Sequence, residues 1–117
     1  MKKFIVTYHV PAALQKQLDK QMAKTTPEQQ AEGIKGWMVW AKKCGKHLVD
    51  MGTPLANGKR LKAKGKAVKS DKEISGYSIL EAKDMDHAMK LLEGHPHLGW
   101  NKACTIEVHE SVTIPGM

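Results

Sequence analysis

The residues most suited to chemistry lie in positions 92–100, LEGHPHLGW, where His95 and His97 flank a proline. Imidazole changes charge near neutral pH, so a histidine beside a partner that fixes its tautomer can take or give a proton. His97, His95, His9 and Asp50 are the candidate acid/base residues. His95 also has a structural explanation, since a histidine before Pro96 suits the C-terminal end of a helix that the proline stops. His97 stands two residues past that stop and has less structural reason to be there.

A metal site built on these histidines would need His9, His95 and His97 to converge on one ion, and no cysteine or acidic cluster lies beside them. No metal is expected. Tyr77, Trp40 and Trp100 are the candidate ligand-binding residues, because aromatic rings suit the wall of a pocket for a planar or apolar molecule. Trp37 falls on the apolar stripe of its helix and is assigned to the core, with Trp40 about 60° off that stripe. The chain has no GxGxxG, P-loop or nucleophile elbow, so no cofactor is expected.

These residues must be positioned by the elements around them. Residues 3–10 (KFIVTYHV) alternate as a strand, with Phe4, Val6 and Tyr8 on one face and Ile5, Thr7 and His9 on the other. Leu14, Leu18 and Met22 form the stripe of a helix over about 11–24, opened by Pro11 in its first turn. Thr26-Pro27-Glu28-Gln29 is a capping box that starts a second helix, with Ile34, Trp37, Met38, Ala41 and Cys44 at helical spacing and Gly45 as its stop.

Residues 47–51 predict a second strand, 52–58 a turn-rich loop, and RLKAKGKAVKS an exposed hairpin. ISGYSILEAK (74–83) is the next strand, Asp84 caps a helix that Gly94 ends, and residues 103–110 form the last strand. The order β-α-α-β, hairpin, β-α-β makes a single α+β domain over residues 1–117, with helices on one face of an antiparallel sheet. A ferredoxin-like arrangement places the first strand between the 74–83 and 103–110 strands, so that His9, Tyr77 and the HPHLGW loop share one sheet end.

The 117 residues suffice for one core, with 41% hydrophobic and 26% charged residues and no apolar run long enough to span a membrane. Cys44 and Cys104 lack metal or disulfide spacing, and reduced thiols in the cytoplasm are expected. Much of the +7 charge is local: Lys59, Arg60, Lys62, Lys64, Lys66, Lys69 and Lys72 fall within 14 residues. No aromatic residue is interleaved there, so a solvated hairpin that blunts an edge is expected rather than a nucleic-acid surface.

The run ISGYSILEAKDMDHAMKLLEGHPHL, followed by TIEVHE, resembles the C-terminal half of the YciI-like family, also called YCII-related or DGPF-type proteins. WMVWAKKCGKHLVDMGTPL resembles the same family's helix leading into a strand that ends in Gly-x-Pro-Leu, so the likeness covers about 70 of 117 residues. It implies a ferredoxin-like fold that dimerises by packing sheets face to face as a dimeric α/β barrel. In the wider superfamily this arrangement serves small lyases, isomerases and monooxygenases acting in a cleft beside the sheet.

The chain departs from the family where DGPF is replaced by VKSDKEISG, keeping an aspartate as Asp71. Its first helix also lacks the histidine of the shorter members, so the histidine-aspartate dyad of those members does not carry over, and Asp50 near the second strand's end is the candidate for the acidic role. Two readings follow. One is a cytoplasmic homodimer binding a small organic molecule, with lyase- or isomerase-type chemistry at a histidine. The other is a non-catalytic ligand-binding or accessory module.

Overall fold

Alternation along β1 (Lys2–His9) buries Phe4, Val6 and Tyr8 and leaves Ile5, Thr7 and His9 half-buried on the opposite face. Each fully buried Phe or Val here contributes about 2 kcal/mol of transfer free energy. The structure is a computed structural model and describes residues 1–116, apart from the side chain of Met22. After β1 come α1 (Ala12–Met22), α2 (Pro27–Cys44), a 3-10 turn (Gly45–His47) and β2 (Leu48–Asp50). A short hairpin of β3 (Lys59–Arg60) and β4 (Val68–Lys69) precedes β5 (Ile74–Ala82), α3 (Met85–Leu91), α4 (Pro96–Trp100) and β6 (Thr105–Ser111).

The main sheet has the order β2-β5-β1-β6, and every pairing is antiparallel. Thr7 pairs with Tyr77 on one side and Glu107 on the other, and Ile5 lies between Ile79 and His109. The α+β class and the central place of the first strand are as expected, and the order is compatible with a ferredoxin-like fold. The helices contribute Trp40, Cys44 and Ala88 to a core with Phe4, Val6, Tyr8, Leu80 and Ala82, and Ile106 and Val108 pack against it. A second cluster joins Val10, Leu18 and Cys104, with Leu14 beside it. The Met22 side chain, third in the expected α1 stripe, lies outside the described residues.

The capping box forms as read: Gln29 N–H donates to Thr26 Oγ1 at 3.2 Å, and Thr26 N–H donates to the Gln29 side-chain Oε1 at 3.0 Å. Asp84 caps α3 by accepting from His87 N–H at 2.8 Å. Pro11 is the N-cap of α1, not a residue of its first turn, because its ψ of 142° is still extended. The hairpin is shorter than its sequence suggests, with only the pairs Lys59 to Lys69 and Arg60 to Val68.

Three expectations change more substantially. Residues 96–100 form a helical turn and not a loop. Gly94 ends the α3 segment at φ +70°, so His95 opens the next helix and does not terminate the previous one. On α2 the predicted stripe is only partly inward: Ile34 and Met38 are exposed, Trp37 is half-buried, and Trp40 is the buried tryptophan. Every residue from 27 to 36 is exposed, so the first half of α2 has no layer above it to select an apolar face.

Candidate functional site

β1, β5 and α4 meet at the end of the sheet where β1 finishes and β5 starts. Tyr8, the last inward residue of β1, donates its hydroxyl to Ser78 Oγ at 2.7 Å, and Ser78 in turn donates to the Met51 carbonyl at 2.7 Å. That direction follows because a carbonyl only accepts, which commits the serine proton to it. Burial pushes the Tyr8 hydroxyl up to about 12, outweighing the Ser78 hydrogen bond, so it stays a neutral phenol.

His95 is fully buried and accepts the His97 N–H on Nδ1 at 3.0 Å, capping α4 with Pro96 at its first position. Its neutral ring therefore carries the proton on Nε2, the one buried side-chain polar atom without a partner among the described residues. Aromatic rings surround it: Trp40 at 4.4 Å, Trp37 at 4.6 Å and Tyr8 at 5.0 Å between centroids, the tryptophans edge-on. Burial, aided by neighbouring His97, holds His95 down to about 4.

His97 is also buried, and its Nε2 lies 3.1 Å from the His9 carbonyl and 3.1 Å from the Thr105 carbonyl. Two carbonyls can only accept, so Nε2 carries the proton and Nδ1 keeps its lone pair. Burial lowers the His97 pKa against the opposing pull of those carbonyls. Nδ1 has no partner among the described residues, and since it is not a fully buried orphan like His95 Nε2, it keeps some accessible surface.

His97 lines a cavity of about 330 Å³ together with Tyr8, Ile34, Trp37, Met51, Gly52, Thr53, Pro54, Ser75, Gly76 and Tyr77. Its walls are almost wholly apolar and contain no charged side chain. Tyr77 donates to Asp50 Oδ2 at 3.3 Å, and Asp50 Oδ1 accepts the Gly52 N–H at 2.8 Å. The Asp50 charge raises the Tyr77 pKa.

The structure thus brings His97 and Tyr77 to one cavity, with Asp50 behind Tyr77. It does not bring the His9 ring there. His9 faces the other side of the sheet, with Nδ1 donating to the Lys72 carbonyl at 3.2 Å and Nε2 2.8 Å from Thr7 Oγ1 and 3.6 Å from Glu107 Oε2. Only its backbone carbonyl touches His97. His95 lies behind the wall, and Trp100 is exposed on α4 away from the lining.

The two α2 tryptophans exchange the places expected of them. Trp37 lines the cavity, and Trp40 is held in the core by its Nε1 donating to the Leu91 carbonyl at 2.9 Å. Residues 51–54 read only as a strand end and turn, yet they supply four lining positions. The available signal was the pairing of that strand with β5, which brings Met-Gly-Thr-Pro against Ser-Gly-Tyr. Among the described residues no group of three or more His, Cys, Asp or Glu could hold a metal ion.

The lysine hairpin stands apart as its own two-stranded sheet, with Arg60 paired to Asp71. No helix among the described residues is long and apolar enough to cross a membrane. No protein-family model matches the chain, and no curated protein matches it.

Proposed function

We propose that the chain is a YciI-like small-molecule-binding protein, working as a cytoplasmic homodimer, whose ligand occupies the cavity against His97. One observation carries this reading: a buried imidazole, its Nε2 proton held by two carbonyls so that Nδ1 keeps its lone pair, lines an apolar cavity. Ligand pockets run from about 300 Å³ upward and combine apolar walls with a few placed polar groups. In the lyase- or isomerase-type version, Nδ1 takes a proton from the bound molecule and returns it to the same molecule.

The non-catalytic version draws on a different observation. Asp50 is already engaged by Tyr77 and Gly52, and among the described residues no carboxylate is hydrogen-bonded to the His97 imidazole at the wall. The dimer is supported by the open sheet face, where Ile5 and Ile79 lie opposite each other and half-buried, rimmed by Thr7, Tyr77, Glu107 and His109. The free, buried thiols of Cys44 and Cys104, with burial raising both pKa values, suit a reducing compartment.

Titration of the six histidines by NMR, with and without a panel of small aromatic and oxo-acid ligands, tests the reading. Selective shifts at His97 with turnover support the catalytic version, and shifts without turnover the binding module. A His97 signal indifferent to every ligand in the panel would sink both.

A further inference from the structure

We infer that the ligand of this cavity is an uncharged, mostly planar molecule that donates one hydrogen bond, through an O–H or N–H, to His97 Nδ1. This rests on the cavity being a binding site and specifies what it binds.

The polar demand of the walls is narrow. Tyr8 has already given its proton to Ser78, and Tyr77 has given its own to Asp50. Ser75 has donated its hydroxyl to the Tyr8 carbonyl at 3.2 Å. His97 offers a lone pair and no proton, because its one N–H is shared between the carbonyls of His9 and Thr105. Trp37 and Thr53 also line the cavity, with an indole N–H and a hydroxyl that have no hydrogen-bond partner among the described residues, so the donor is requested at His97 itself, where a buried acceptor left unmatched on binding costs affinity.

Charge is excluded from both sides. An anion would find no cation on the wall, and the Asp50 carboxylate, hydrogen-bonded to the lining residue Tyr77, repels it. A cation would shed its water into apolar walls while the Asp50 oxygens are already bonded to Tyr77 and Gly52. Shape points the same way. Tyr8 and Trp37 meet edge-on with centroids 5.1 Å apart, giving two ring surfaces at an angle that suit a flat guest. The volume equals the liquid share of about eleven waters, enough for one substituted ring.

The test is calorimetric titration of the full chain at pH 7 with phenol, anisole, benzoate and benzylamine, read in parallel by the indole signal of Trp37 and the ring nitrogens of His97. Phenol is expected to bind at millimolar or lower concentration, about tenfold tighter than anisole, the worth of roughly one hydrogen bond. Phenol is also expected to shift His97 Nδ1, while benzoate and benzylamine do not bind. His97→Phe should equalise phenol and anisole. Because that ring also ties two strands, the comparison of phenol with anisole on the unaltered protein stands without the variant. Equal affinities for phenol and anisole, or a preference for either charged probe, would overturn the donor assignment and leave a binding site. Silence from all four probes, with Trp37 unmoved, would remove the binding site itself.

Discussion

His95 gives its one acceptor to the backbone of the helix it opens and keeps its N–H among three aromatic rings, an arrangement that works only for the neutral ring. Its pKa falls from 6.5 in the unfolded chain to about 4 in the fold, so between those values the unfolded state binds more protons. The stabilisation is therefore complete above pH 6.5 and lost as pH falls toward 4, at most about 3 kcal/mol from this group. Urea unfolding from pH 7 to pH 4 should show that slope, and His95→Asn, which keeps a capping acceptor but cannot titrate, should flatten it. Ser78→Ala should cost about 1–3 kcal/mol in the same assay, because it strands the Tyr8 hydroxyl and the Met51 carbonyl in the interior. An unchanged midpoint would mean that water replaces the serine. At this scale the sequence showed His97 to be unexplained by helix chemistry, but it could not assign Trp37 and Trp40. A helical wheel ranks faces by composition, and the face that faces inward is decided by what lies above the helix.

Between elements, the cavity depends on how closely the segment after β2 approaches β5. Gly52 has φ +76°, and a Cβ there would stand 1.7 Å from the Tyr77 carbonyl oxygen. Gly52→Ala must therefore meet both left-handed strain and a backbone clash, and is expected to cost about 2–5 kcal/mol. Thermal unfolding with near-ultraviolet circular dichroism of Tyr77 and Trp37 measures it, and a wild-type melting curve would contradict the close approach. The elements were largely legible in the sequence: alternation gave β1, the Thr26 capping box gave the start of α2, and Asp84 gave the start of α3. The helical turn at 96–100 was hidden because its cap is a histidine, outside the usual set of Ser, Thr, Asp and Asn.

The whole molecule is a flat body of 48 × 45 × 22 Å with a radius of gyration of 16.1 Å. A compact chain of this length would have about 13 Å. A sheet with one open face and outlying helices and hairpin explains the difference, and a second copy on the open face is the proposed remedy. Sedimentation should then give twice the 13.0 kDa chain mass, and Ile5→Lys, placing a charge opposite Ile79, should return it to the single-chain value. A wild-type monomer across micromolar concentrations would end that proposal. Sequence pattern alone gave the layer order but not this spread, because nothing in the periodicity of α2 says where its packing stops.

The bare first half of α2 makes the free energy of local opening uneven along one continuous helix. Amides near the capping box are expected to open and close without disturbing the sheet, while those around Trp40 and Cys44 exchange only when the core does. Hydrogen exchange should divide α2 near Gly36, where the helix first meets Pro96. The portion that frays carries Ile34 and the portion that holds carries Trp37, so the cavity has one wall whose lifetime is set by a single helix turn and another that lasts as long as the fold.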